Sequence, residues 1–199
     1  MNKAYTDNQL IERFKSLPSY NAAKGIPHNL VIGVRSAEDI ADAFDDKIYV
    51  YVDGKFQLVA NCTTNPGKSV LLGGWKSYSK LGAAIVKADE IYYDAYKKSN
   101  GKDIPHHKYK MQCLSQVKPI KYYRDGDNDA KTEEIGSVYF ANYATNIHFN
   151  NYDLWTKIKG LFVGAWSAGC QVLNEADKYR KMLEVIDNDF VTYCLLKEF

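Results

Sequence analysis

The first periodic stretch of the chain is helical. Leu10, Ile11, Phe14 and Leu17 recur at three- and four-residue spacing behind Thr6 or Asp7, either of which can cap a helix, and Pro18 ends the run. Residues 19–29 have no periodicity and read as linker, so the chain divides into an N-terminal helix and linker over 1–29 and a main domain over 30–199. From residue 30 the pattern turns strand-like. Residues 30–35 form one expected strand, and 47–52 and 55–61 form two more around Asp53-Gly54, a two-residue hairpin turn that accepts positive φ. Residues 62–67, Cys-Thr-Thr-Asn-Pro-Gly, are turn chemistry directly after that hairpin.

Residues 80–100, rich in Ala and Tyr, read equally as two short strands or one helix. Strands are expected at 109–116 and 118–123 around Pro119, then a tight acidic turn at 125–129. Residues 137–148 read as one long aromatic strand ending on His148, and 149–161 as a polar loop. Asn174 is placed to cap a helix through Ala176, Tyr179, Met182, Leu183 and Ile186, and 190–196 closes the chain as a strand. The result is a β-rich mixed α/β fold with a few peripheral helices.

Composition narrows the class. Hydrophobic residues make up 46% and charged residues 25% of 199, which excludes a disordered chain. Sixteen tyrosines and eight phenylalanines reinforce the strand reading. A net charge of +2, from 26 basic and 24 acidic side chains, lacks the basic excess of a nucleic-acid binder. The N-terminus has no apolar core of a signal peptide and no run reaches membrane-span length, so synthesis as a soluble cytoplasmic product is expected. Cys62, Cys113, Cys170 and Cys194 form no Cys-x-x-Cys pair, which argues against a zinc ribbon or finger.

The chemistry concentrates in 146–173, NIHFNNYDLWTKIKGLFVGAWSAGCQVL. A cysteine nucleophile acts as thiolate and needs a nearby histidine, a helix N-terminus or both. Cys170 stands just before the expected helix, Gly169 permits a sharp turn, Ser167 can hydrogen-bond into that turn, and His148 ends a strand whose following loop can return to it. The aromatics Trp155 and Trp166 flank the proposed site, where core packing competes with ligand contact.

Asn146-Ile147-His148 followed by Ser167-Ala168-Gly169-Cys170 resembles the signature of the L,D-transpeptidase catalytic domain, and residues 173–177 are similar to the start of that family's post-cysteine helix. More weakly, residues 45–51 and Thr64-Asn65-Pro66-Gly67 resemble its opening hairpin and Pro-Gly loop. The resemblance implies an L,D-transpeptidase-like β-sandwich or barrel. It implies an acyl-Cys170 intermediate on a peptidoglycan stem peptide, resolved by water or an amine, with no cofactor and no metal. In that scheme His148 is the base, Ser167 supports the turn, the N–H groups of Gly169 and Cys170 hold the oxyanion, and Trp166, Asn146 and Phe149 contact substrate. A product made without a signal peptide suits a bacteriophage lysis enzyme or virion component. The sequence departs from the pattern in three places: Phe149 follows the histidine in place of Gly, Ala168 replaces a second His, and Gln171-Val172 occupies the stretch where an arginine commonly follows the cysteine. Arg35 and Arg124 are the candidates to substitute for that arginine.

Two other classes compete. One is a non-catalytic wall-binding or virion module on the same fold. The other is a metal-dependent peptidase using His106, His107 and His148, with no metal-binding spacing to support it. Residues 125–136 fail as a calcium loop, since Ala130 and Gly136 stand where Gly and Glu are needed.

Overall fold

The computed structural model describes residues 4–74, 79–99 and 112–199. Helix α1 spans Asp7–Ser16 and is closed at its start by a reciprocal capping box, in which Thr6 accepts from the Gln9 N–H and Gln9 accepts from the Thr6 N–H. Among the described residues eleven strands follow: β1 Asn29–Arg35, β2 Asp46–Val52, β3 Lys55–Thr63, β4 Ala83–Val86, β5 Glu90–Ser99, β6 Cys113–Gln116, β7 Ile120–Asp125, β8 Tyr139–Ala141, β9 Ile147–Phe149, β10 Gln171–Leu173 and β11 Phe190–Lys197. Helix α2, Ala176–Val185, lies between β10 and β11.

Eight strands close into a barrel in the order β1-β11-β5-β6-β9-β10-β3-β2, and β4-β7-β8 form a separate small sheet. The pairs β1–β11 and β9–β10 are parallel and the other pairings antiparallel. The fold is thus β-rich with few helices, as the periodicity indicates. The hairpin at Asp53-Gly54 forms with both turn residues at positive φ, 53° and 83°.

Strand β1 is buried on both faces, which explains its unbroken apolar run. Val31 joins the main core with Ile48, Val50, Tyr193, Leu195 and the inward face of α2. Leu30, Ile32 and Val34 face the other way, against Leu10, Phe14 and Leu17 of α1 and its flank. The N-terminal helix is therefore packed on the barrel, and Tyr5 stacks on Phe199 with ring centroids 4.2 Å apart.

One alternative is decided and two expectations change. The ambiguous 80–100 segment is two strands, β4 and β5. The long strand over 137–148 is instead two short strands in different sheets, β8 and β9, because Ala144 adopts φ 58° and the Asn142 side chain turns the backbone between them. Helix α2 starts later than expected. Its N-cap is Glu175, while the Asn174 amide donates to the Gly160 carbonyl at 3.1 Å instead of capping. His106, His107 and the first part of 109–116 lie outside the described residues.

A buried polar network ties the end of β1 to the loop after β3. Asp46 accepts from the Ser36 N–H, the Thr64 N–H and the Thr64 hydroxyl at 2.6–2.7 Å. Burial nevertheless pushes its carboxyl up to about 6, and burial with acidic neighbours does the same to Asp125. A folded-state pKa above the unfolded value means the folded protein keeps a proton the unfolded chain has lost. That stabilisation is fully present below the unfolded carboxyl pKa and is lost as pH rises through about 6. The free energy of unfolding is expected to rise between pH 7 and pH 5 by on the order of 1–3 kcal/mol, seen as a higher urea midpoint. Glu90, whose pKa is lowered, loses its contribution only at more acid pH. A midpoint that stays flat or drops across pH 7 to 5 would refute this.

Candidate active site

The Ser-Ala-Gly-Cys turn is pinned at every residue. The Ser167 carbonyl accepts from the Gly67 N–H at 2.9 Å, joining the turn to the Pro-Gly loop that follows β3. Ser167 Oγ donates to the Cys170 carbonyl at 2.8 Å and accepts from the Gly169 N–H at 3.2 Å. The Ala168 side chain enters a small apolar cluster with Val70, Leu71, Ala83 and Ile85, and its carbonyl accepts from the Ala84 N–H at 3.1 Å. A larger polar side chain at 168 would have to enter that cluster, a physical reason for alanine there. Gly169 sits at φ 134°, outside the reach of other residues.

Cys170 leads into β10, which pairs in parallel with β9, so that Gln171 donates its N–H to the Asn146 carbonyl and Val172 lies level with His148. Strand rise and spacing put the α-carbons of Cys170 and His148 about 8 Å apart on neighbouring strands. His148 is 1% exposed. Its Nδ1 lies 2.9 Å from the Phe149 carbonyl oxygen. A carbonyl only accepts, so Nδ1 carries the proton and Nε2 keeps the basic lone pair. Trp166 packs near the imidazole with ring centroids 6.4 Å apart, and Tyr152 backs Trp166 at 4.8 Å.

The sequence-based expectation of a helix N-terminus beneath Cys170 is corrected by β10, which separates the cysteine from α2. The thiol donates to the Ala144 carbonyl at 3.6 Å. Burial pushes its pKa up to about 12, against the smaller opposing effect of the Asn146 N–H. The resting thiol is therefore protonated. The oxyanion assignment also narrows: Gly169's N–H is engaged by Ser167, leaving that of Cys170 as the donor of the turn.

Of the residues expected to contact substrate, Trp166 and Asn146 border the turn. Phe149 does not. It is fully buried and stacks on Tyr179 of α2, facing the core because β9 alternates His148 outward and Phe149 inward. Trp155 is 79% exposed beneath the Arg180 guanidinium, so the core reading fails for it. Arg35 is committed elsewhere, to Glu134, Thr64 and the Val86 carbonyl.

One residue carries weight that no motif signalled. Gln116 accepts through Oε1 from the Tyr143 N–H, the Thr145 N–H and the Thr145 hydroxyl, and donates through Nε2 to the Lys118 and Ala141 carbonyls. Its own N–H bonds Asn146 Oδ1 at 2.9 Å. One side chain thus fixes the whole segment that meets the Cys170 thiol. Among the described residues no group of histidine, cysteine or acidic side chains is arranged to hold a metal, all four cysteines are free, and no helix is long and apolar enough to cross a membrane.

Compared with known proteins, the chain matches no family model, no curated protein and no solved structure. The site therefore rests on its own geometry.

Proposed function

We propose that this chain is an L,D-transpeptidase-like cysteine enzyme acting on peptidoglycan stem peptides, with Cys170 as nucleophile and His148 as base. The observation that carries this reading is the braced Ser167–Cys170 turn set on a parallel strand beside a histidine held in its Nε2-basic tautomer. A turn with this much support presents a thiol in one position, which nucleophilic attack requires.

In this reaction His148 Nε2 takes the thiol proton as Cys170 Sγ bonds to the scissile carbonyl carbon. The oxyanion is met by the Cys170 N–H. Collapse breaks the C–N bond, and the imidazolium returns its proton to the leaving amine. Water or an acceptor amine then attacks the thioester and gives its proton to His148; the C–S bond breaks, and the departing thiolate takes that proton back from the imidazolium.

The raised pKa of the Cys170 thiol favours a second reading, a non-catalytic wall-binding module on this fold. Purified sacculi incubated with the wild type, Cys170→Ala and His148→Ala separate the two, with muropeptides read by mass spectrometry. The enzyme predicts cleaved or exchanged stem peptides that vanish in Cys170→Ala and fall by about 10²- to 10⁴-fold in His148→Ala. Sacculi left equally intact by all three proteins, but still bound by them, would establish the module instead.

A further inference from the structure

The loop that runs from β9 to the cysteine turn leaves four large apolar side chains in water within eight residues. Trp155, Ile158, Leu161 and Phe162 are each 70–79% exposed. Single exposed apolar residues are ordinary, but a cluster of this density marks contact with something apolar. These four are not surplus core residues, because the loop has its own inward anchors. Leu154 packs on the main core and Val163 is fully buried.

The backbone behind them is fixed. Asp153 accepts from the Trp155 N–H through its carboxylate at 2.9 Å and from the Thr156 N–H through its carbonyl at 3.3 Å. Thr156 Oγ1 accepts from the Ile158 N–H at 3.1 Å. Gly160 exchanges two bonds with Asn174, and a Cβ there would overlap the Asn150 amide. Asp42 accepts from the Val163 and Gly164 N–H groups at 3.1 and 2.7 Å. These donors are satisfied within the protein, a condition that an apolar phase imposes and a partner's polar rim does not.

Charge is distributed in the same sense. The acids Asp153 and Asp42 brace the two feet of the loop, whereas 154–163 carries Lys157 and Lys159 and no acid. Lys159 pairs with Glu175, the N-cap of α2, and Lys157 has no acidic partner among the described residues. The Arg180 guanidinium lies over the Trp155 ring, 4.7 Å from its centroid. A tryptophan and bulky apolar side chains interleaved with lysines, whose stems reach headgroup level, make up an interfacial membrane-binding segment.

We propose that residues 155–162 dock the protein on an anionic lipid surface. Trp155, Ile158, Leu161 and Phe162 enter the boundary between headgroups and acyl chains, and Lys157, Lys159 and Arg180 meet lipid phosphates. The protein lies on the bilayer and does not span it. The docking segment is contiguous in the chain with the Ser167–Cys170 turn, but it does not depend on Cys170 being a nucleophile.

Co-sedimentation of the full chain with vesicles tests the docking. Mixed phosphatidylglycerol–phosphatidylcholine vesicles are the probe, and phosphatidylcholine alone is the neutral control. The wild type is expected to bind the mixed vesicles at least about tenfold more tightly than the neutral ones. The double variant Ile158→Ser, Phe162→Ser should bind the mixed vesicles at least about tenfold more weakly. Lys157→Glu should weaken binding about five- to thirtyfold, with the larger effect at low salt. All three positions lie in the loop, and an unchanged urea midpoint in each variant shows that lost binding is not lost folding. Lipid brominated in its acyl chains should quench tryptophan fluorescence, and Trp155→Phe should remove most of that quenching. Cys170→Ala should bind as the wild type does, which separates docking from catalysis. No binding to the mixed vesicles overturns the proposal, as does equal binding to the neutral ones or unchanged binding by the double variant. Self-association in the ultracentrifuge that the double variant loses, with no vesicle binding by the wild type, would assign the patch to a second copy of the chain instead.

Discussion

Gly169→Ala is expected to lower stability by roughly 2–6 kcal/mol and to abolish the ordered cysteine turn. Two costs combine. The residue sits at φ 134°, where a side chain strains the backbone, and its Cβ would stand 2.5 Å from the Ala84 carbonyl oxygen, a backbone atom that cannot swing aside. Relief requires β4 to move away from the turn, breaking the bond from the Ala84 N–H to the Ala168 carbonyl and carrying Arg124 with it. Gly136→Ala is the control: φ is 79°, also positive, but nothing lies within 4 Å of the added atom. It should cost only strain, about 1–3 kcal/mol. Urea denaturation of the two variants measures the difference. Equal midpoints would mean that contact with Ala84 does not constrain the turn.

The legible parts of this chain were those whose cause is local. Helix α1 was readable because spacing, cap and terminating proline all fall within a dozen residues, and the Asp53-Gly54 hairpin because its turn needs positive φ at both positions. The residues 62–67 and 167–170 each carry their own turn chemistry, and the fold joins them through Gly67 and Ser167. What stayed hidden depends on distant pairing. Barrel closure requires β11 to lie between β1 and β5, a neighbour relation no periodicity encodes. Strand β10 has only three residues and exists because β9 and β3 flank it, so the segment after Cys170 looked like the approach to a helix. With β10 there in place of a helix end, the thiol pKa is raised by burial and not lowered by a helix dipole. Arg124 was a candidate without a position until the β4–β7 register placed it.

Gln116 gives the second large effect, and Gln116→Glu should exceed Gln116→Ala. Alanine deletes the acceptor of the Tyr143 and Thr145 N–H groups and leaves buried donors unsatisfied, a cost of about 2–4 kcal/mol. Glutamate keeps that acceptor but replaces Nε2, which faces the Lys118 and Ala141 carbonyls at 2.9 and 3.1 Å, with an oxygen that cannot donate when ionised. It must then either bury an unpaired charge beside two carbonyls or take up a proton, at about 3–5 kcal/mol. Both changes free the 141–146 segment, and with it the Ala144 carbonyl that receives the Cys170 thiol. Site-resolved alkylation by iodoacetamide should therefore become faster at Cys170 in both variants under native conditions. Cys62 and Cys194, buried in other parts of the barrel, should react as in the wild type. If either variant keeps the wild-type urea midpoint and the wild-type Cys170 rate, the segment is held by something other than this side chain. If all three cysteines accelerate together, the loss is global, and the selective link from Gln116 through Ala144 to the nucleophile fails.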